Sequence, residues 1–298
     1  MVRYEKNQVF TGRDTFLAQL HDKFQNPSTD LYHGRIALFG LEGIGKTEIA
    51  LEYAYRYQSS YQRIYWISAN TQAFLLDGDQ KIAGRAELQI SHPLTVEVAE
   101  RVISWLEQEQ SWLLIVDNVD DLDVLSMAGG LNSKFFLPST GQLRQHTLIT
   151  TRNRYADGIP AQGMEVTKFD QDASLELLYK SSKITPRSDS AEDEAAAKIV
   201  EDLDHLPLVI DQAAAYIREV AKKFSTFLID YAEYRRDLSN WVPQGIRQYP
   251  DTVAMTWRMS FAAISANNPM AVELLHLLSF LNPDGILIKF LQSGANGI

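Results

Sequence analysis

The chain contains no cysteine, so disulfides, thiolate metal ligands and cysteine nucleophiles are excluded and a reducing compartment suits the composition. Positive charge is also scarce. Against 38 Asp and Glu stand 28 Lys and Arg, a formal net charge of -10, which disfavours generic attraction to nucleic acid or to an anionic membrane. Long apolar runs are missing too. The densest stretch, Met270 to Leu281, is interrupted by Glu273 and His276 and falls short of the roughly 20 residues that cross a bilayer. It reads as a buried helix. The amino terminus, Met1 to Asn7, mixes charges and lacks the apolar centre of an export signal, so the expected location is cytoplasmic. The six histidines have no His-x3-His or comparable spacing, which indicates no histidine metal site. No Gly-x-Ser-x-Gly elbow occurs either.

What is present describes a folded chain: 298 residues, 45% hydrophobic and 22% charged, enough for one large domain or two to three small ones. Four short apolar runs, Arg35 to Phe39, Arg63 to Ile67, Trp112 to Val116 and His146 to Thr150, have consecutive buried-type residues, as strands covered on both faces of a parallel sheet do. Between them Val98, Val102, Trp105 and Leu106 fall at helical spacing, the pattern of an amphipathic crossover helix with Trp105 on its core side. After Thr151 the texture turns helical. Ala173 to Tyr179, Ala191 to Leu203 and Leu208 to Val220 are rich in Ala and Leu, with only Glu165 to Thr167 reading as strand. The acidic run Ser188 to Glu194 reads as a solvated lead into a helix. Breakers at Asn240 to Gly245 suggest a second boundary. The expected architecture is α/β, a parallel sheet over residues 1–160, then a small helical domain over 161–245 and a third segment over 246–298.

The sharpest signal is Gly40-Leu41-Glu42-Gly43-Ile44-Gly45-Lys46-Thr47, which matches the phosphate-binding pattern Gly-x4-Gly-Lys-Ser/Thr and follows a strand and precedes a helix. Gly40, Gly43 and Gly45 let the backbone wrap a phosphate chain with its N–H groups inward, and the following helix adds positive dipole. Lys46 supplies a mobile charge for the outer phosphates and Thr47 a hydroxyl for Mg2+. The positions expected at the ligand are Gly40, Gly43, Ile44, Gly45, Lys46, Thr47 and Glu48. Glu42 is unusual beside phosphate, since a carboxylate facing it costs Coulomb energy; its side chain is expected in solvent. The run Leu113 to Asp121 ends a buried strand in an acid. Asp117 then stands at the carboxyl edge, where open α/β sheets bind ligands, as the metal-side carboxylate with Thr47. Asn118 follows it and cannot act as a general base. Asp120 and Asp121 remain candidates to orient water, or to cap the next turn. Slow turnover or none is expected.

In this order the motifs resemble the NB-ARC family of STAND-class P-loop ATPases, the nucleotide switches of apoptosome scaffolds and of plant and fungal NOD-like receptors. Phe10-Thr11-Gly12-Arg13 is similar to the family's adenine-contacting segment, which implies ligand contacts for Phe10, Thr11 and Arg13. Gly40 to Thr47 resembles Walker A and Leu113 to Asp121 Walker B. Leu148 to Arg152 looks like the sensor strand whose arginine reads the γ-phosphate, and His205-Leu206-Pro207-Leu208 like the Gly-Leu-Pro-Leu segment whose proline packs on adenine. Ser225 to Leu238 and Thr252 to Ile264 are similar to linker portions of fungal members. Met270 to Ile286 resembles the opening of a winged-helix domain, so the third segment, 246–298, reads as its truncated start. The family's Met-His-Asp motif does not appear before Ile298, as in a piece of a larger receptor.

The resemblance implies an ADP or ATP site with Mg2+. It also implies a switch in which ADP pins the helical domain to the nucleotide-binding domain and ATP releases it. The full receptor would then self-associate in the ATP state, while this fragment would be monomeric with ADP. Neither nucleic acid nor membrane is expected as a partner. Two alternatives stand beside that reading: a P-loop ATPase or kinase that turns over steadily, and an AAA+-like ATPase working on DNA.

Overall fold

The computed structural model describes residues 4–26, 32, 34–90, 96–125, 137–138, 144–153, 158–185, 190–239 and 260–279. It divides into two compact units, residues 1–177 with 205–208, and residues 178–204 with 209–298.

The first unit is built on five strands: β1 (Arg35–Phe39), β2 (Arg63–Ser68), β3 (Trp112–Asp117), β4 (Gln145–Thr151) and β5 (Gln162–Glu165). All pairings are parallel and the spatial order is β2-β3-β4-β1-β5. Burial follows position in that order. Every residue of β4 is buried, and all of β3 but its last, whereas edge strand β2 alternates, as expected where only one side of a strand is covered. Because β5 pairs along β1 from Ile36 to Phe39, the sheet continues past residue 160, where the sequence places its end. The strand itself starts at Gln162, upstream of the expected Glu165 to Thr167 run.

Helices α1 (Asp14–Gln25), α2 (Lys46–Arg56), α3 (Gln72–Arg85) and α4 (Val96–Gln108) cover the sheet. α2 packs on β3 and β4, and α3 on β2 and α4. Trp112, Leu114 and Val116 of β3 join Leu75, Ile82, Val102 and Leu106 in one buried cluster. Leu113 and Ile115 point to the opposite face by the two-residue period of a strand and are equally buried. Burial of the Trp112 indole is made tolerable by its Nε1–H, which donates to the Leu106 carbonyl at 2.7 Å. Trp105 is partly buried against this cluster, on the core side as expected, with the Arg63 guanidinium 5.3 Å from its ring. Within α3 the core-facing positions are Leu75, Leu76, Asp79, Ile82 and Ala83, so a carboxyl group sits in the middle of an apolar stripe.

A polar chain crosses the other side of the core. His21 Nδ1 lies 3.0 Å from the Tyr53 hydroxyl, Tyr53 lies 3.0 Å from the Tyr61 hydroxyl, and Tyr61 lies 2.7 Å from His146 Nδ1. The His146 ring also stacks on Phe24, with ring centroids 4.5 Å apart. These bonds tie α1, α2 and β4 together. Burial, and secondarily the neighbouring His21, pushes the His146 imidazole down to about 4. Tyr61→Phe is expected to cost about 2 kcal/mol in urea unfolding, because Tyr53 and His146 each lose a buried partner. His146 is neutral in the folded chain where the unfolded one binds a proton. Its contribution is therefore complete above its ordinary value of 6.5 and drains away as pH falls toward 4, on the order of 3 kcal/mol in all.

The second unit is helical in its described part. α5 (Gln171–Ser182) enters it at Leu178, and α6 (Ser190–Asp202), α7 (Pro207–Tyr216) and α8 (Phe224–Ser239) follow. α7 passes into a wide π turn at Ile217–Ala221 that Lys222 closes in the left-handed conformation. Ala196, Ile199, Ile210, Ala213, Phe224 and Phe227 form its buried side. The acidic run is not simply solvated: Glu192 accepts from the N–H of Phe224 at 2.8 Å, and Asp193 from the Tyr179 hydroxyl at 2.6 Å. The first of these satisfies an N–H at the start of α8 that would otherwise lack a partner. Helices α9 (260–267) and α10 (Pro269–Ser279) are the last described elements. The expectation of a buried helix fails here. No residue of α10 is buried, and Met270 and Leu277 are 69% and 67% exposed. An apolar run needs a surface to cover it, and none of the described residues provides one. Boundary segment 240–245 and residues 252–259 of the linker-like run lie outside the described residues.

Candidate functional site

Parallel pairing brings the carboxyl ends of the strands to one edge. Phe39 pairs with Thr151, and Ser68 with Asp117, so the loop after β1, the acid ending β3 and the arginine after β4 emerge side by side. At this edge the loop from Gly40 to Gly45 turns directly into α2. Gly40 is required as glycine: its φ is +148°, and a Cβ there would stand 2.6 Å from the Val166 carbonyl oxygen. Gly45, at φ +95°, has nothing within 4 Å of the place a Cβ would take. That open space at the start of α2, which the helix dipole makes favourable to an anion, leaves room for a phosphate. Ile44 is buried beneath the loop.

Lys46 is 9% exposed. Its ammonium spans the loop, donating to the carbonyls of Gly40 at 2.9 Å and Leu41 at 2.8 Å. Burial holds its pKa below the ordinary lysine value, opposed by Asp120, Glu42 and Asp117 and reinforced by the positive charge of Arg152. Thr47, exposed, donates to Asp117 Oδ1 at 2.9 Å, and the Thr150 hydroxyl donates to the same oxygen at 2.6 Å. A hydroxyl and a carboxylate in contact are a hard-oxygen donor pair that suits Mg2+. Asn118 adopts φ +67° and donates its N–H to Thr150 Oγ1, while its side-chain amide bonds Asn70.

Asp120 is occupied by Arg152. One carboxylate oxygen accepts the Arg152 backbone N–H and the other its Nε–H, both at 2.6 Å. Hydrogen bonding to Asp120 raises the already high pKa of the guanidinium. Its remaining face meets the phosphate loop, where Nη1 donates to Glu42 Oε2 at 3.2 Å. Glu42 is therefore not a lone solvated side chain but the far end of an Asp120–Arg152–Glu42 ion-pair chain. Asp121 makes a different contact, accepting from the Asp123 N–H at 2.9 Å, and among the described residues no bond links it to this group.

The amino-terminal segment is anchored to the same unit. Thr11 is buried and donates to the Val9 carbonyl at 2.8 Å, and Phe10 is half-buried. Arg13 has φ +70°, donates to the Thr167 carbonyl at 2.6 Å and lies 4.5 Å above the Phe169 ring. Asn7 donates to Glu48 at 2.8 Å, which joins this segment to the first turn of α2. Pro207 opens α7 at the position where its missing N–H costs nothing. The next residue, Leu208, donates its N–H to the Gly43 carbonyl at 3.2 Å. His205, left-handed at φ +55°, takes part in a 3.0 Å contact with Ser174 and accepts from the Phe169 N–H.

Lys46, Thr47, Asp117, Asp120 and Arg152 thus emerge at one edge of the sheet, where Thr47 bonds Asp117 and Arg152 bonds Asp120, and Leu208, next to Pro207, bonds the loop at Gly43. Sequence reasoning missed Thr150, Asn70 and the pairing of Glu42. The signal for Thr150 was its place two residues before Arg152 on the strand beside β3.

The fold and site are those of a P-loop nucleotide-binding protein with a parallel sheet. The sequence matches the NB-ARC domain over residues 13–188, more than half of the chain, and the protein belongs to that family. It is 30% identical over 96% of its length to a nucleotide-binding leucine-rich repeat (NLR)-like protein of the fungus Hyaloscypha variabilis, of which it spans only 31%. In fold it resembles Cdc6p of Pyrobaculum aerophilum, with a TM-score of 0.52 and 16% identity over 74% of this chain and 65% of that one. The Aeropyrum pernix ORC1 protein, solved in complex with DNA, aligns with a TM-score of 0.51 and 14% identity over 82% of this chain and 72% of that one. At such identities the likeness is one of fold.

Among the described residues no cluster of His, Asp and Glu could hold a metal ion by itself, and no helix is long and apolar enough to cross a membrane.

Proposed function

We propose that the chain is the ADP/ATP-binding switch of a larger receptor. The supporting observation is the phosphate loop itself, with the Lys46 ammonium bonded to the carbonyls of Gly40 and Leu41 beside the Asp117 oxygen that accepts from both Thr47 and Thr150, together with the Leu208–Gly43 hydrogen bond. The N–H groups at the start of α2 and the Lys46 ammonium would hold the phosphates. Thr47 and Asp117 would hold Mg2+, which when bound supplies charge neutralisation to the phosphate chain. Phe10, Thr11, Arg13 and Pro207 would frame the base.

Hydrolysis is expected to be slow. Asn118 is an amide bonded to Asn70, and Asp120 is committed to Arg152, so neither is a free carboxylate base. A switch does not need fast turnover. It needs one domain arrangement to bind the triphosphate better than the other by a few kcal/mol. In this reading, exchange of ADP for ATP licenses the residues 161–245 helical domain to separate from the residues 1–160 nucleotide-binding domain. The whole receptor would then self-associate in the cytoplasm, with residues 246–298 opening a winged-helix domain. The role in immunity-like signalling comes from the NLR-like relative and is part of the same proposal.

Denaturing the freshly purified protein and weighing what is released is expected to yield a stoichiometric adenine nucleotide, mainly ADP. No released nucleoside, together with flat calorimetric titrations for both ADP and ATP, would overturn the reading.

A further inference from the structure

Arg152 is held in two unequal ways. Asp120 grips both its backbone and its Nε at 2.6 Å and is only 17% exposed, whereas Glu42 meets Nη1 at 3.2 Å and is 50% exposed. The first contact fixes where the guanidinium stands. The second is long, wet and made by a residue of the phosphate loop itself, one turn of chain before Lys46. Glu42 also adds a negative charge to the surroundings of the Lys46 ammonium. The loop therefore carries its own anion, placed on an arginine donor that faces the cradle.

We propose that Glu42 competes with the terminal phosphate of a nucleoside triphosphate for Arg152 and so biases the site toward the diphosphate. The inference rests on the nucleotide reading above and names a selectivity determinant within it. A third phosphate that recruits the Nη face of Arg152 must first displace Glu42, and it then sits near a carboxylate that has lost its counter-ion. A diphosphate meets neither cost. Asp120 keeps Arg152 in place throughout, so exchanging one anion for the other requires no large side-chain movement. Because the Glu42 contact is exposed, its strength is modest and screened by salt, and the expected bias is a factor of a few. A few-fold bias is enough to set which nucleotide dominates where both are present at similar levels.

The test is a double-mutant cycle read by calorimetric affinities for Mg-ADP and Mg-ATP in the intact chain, at low and high salt. In Glu42→Gln the ratio of ATP to ADP affinity is expected to rise about fivefold at low salt, the upper end for an exposed ion pair, and by less at high salt. In an Arg152→Gln background the same Glu42→Gln change is expected to leave the ratio where it was, because the shared donor is gone. A merely structural role for Glu42 would move both affinities together. The proposal is overturned if the ratio stays constant in Glu42→Gln, or if its rise persists without Arg152. Binding of neither nucleotide by the unaltered chain would instead defeat the nucleotide reading itself, and this inference with it.

Discussion

Lys46→Ala is expected to emerge from purification without nucleotide and to lose the thermal stabilisation that added ADP gives the unaltered chain. The Lys46 ammonium is the positive charge at the loop that is not tied to a carboxylate at hydrogen-bond distance; its two partners are carbonyls. Arg152, by contrast, is already paired with Asp120 and Glu42. Hydrogen bonds to charged groups contribute about 1.5–3 kcal/mol each, so losing two from Lys46 to phosphate oxygens predicts a loss of affinity of about 100-fold or more. Ligand-linked stabilisation follows mass action: a drop from about 1,000 to about 10 times Kd removes roughly 2.7 kcal/mol, or about 5–10 °C for a domain of this size.

The ligand-free stability of the variant is expected to change little, because the lysine itself is desolvated and the carbonyls of Gly40 and Leu41 lie on half-buried or exposed residues. Melting curves with and without ADP separate the two effects. An unchanged ADP content in the purified variant would remove Lys46 from the site.

The sequence carried the sheet and the local half of the site, and the reason is physical. β1, β3 and β4 are buried on both faces, so their apolar runs are continuous and their limits fall within a residue or two of the expected ones. The phosphate loop is a contiguous string, and the spacing from Thr47 to Asp117 needs only a strand ending in an acid. Elements whose pattern is diluted were not legible. α3 leaves no clean helical period in the sequence, since its core stripe includes Asp79 and its Gly78 packs closely on Ile67. α1 buries only Leu17, Leu20 and Phe24 among twelve residues.

Contacts that depend on register were equally invisible. Thr150 meets Asp117 because β3 and β4 pair with Val116 beside Ile149. Glu42 meets Arg152 across 110 residues of chain. The histidine and tyrosine chain escaped for the same reason: its members come from four separate segments, and hydroxyl–imidazole bonds leave no periodic trace.

Asp79→Asn is expected to make the first unit progressively more stable than the unaltered chain as pH rises from 6 to 8. Asp79 is 6% exposed on the core side of α3, and burial alone pushes its carboxyl up from 3.8 to about 8. The folded chain therefore holds a proton that the unfolded chain releases. Stability from this group is complete below the ordinary carboxyl value and is lost as pH climbs toward the folded one, at up to about 1.4 kcal/mol per pH unit. His146 has the opposite slope, losing its contribution below 6.5. Between pH 4 and 6.5 the two nearly cancel, whereas from 6.5 to 8 Asp79 acts alone.

Asparagine preserves the shape of the protonated acid and cannot ionise. The variant should match the unaltered chain near pH 4 and exceed it by an amount on the order of 5 kcal/mol at pH 8. Asp79→Leu tests the same point through volume and polarity, since an apolar side chain also removes the desolvated acid. Urea unfolding at pH 5, 6.5 and 8 measures the difference. Parallel pH profiles for Asp79→Asn and the unaltered chain would mean that water or a counter-charge reaches the carboxylate, and that α3 yields around position 79.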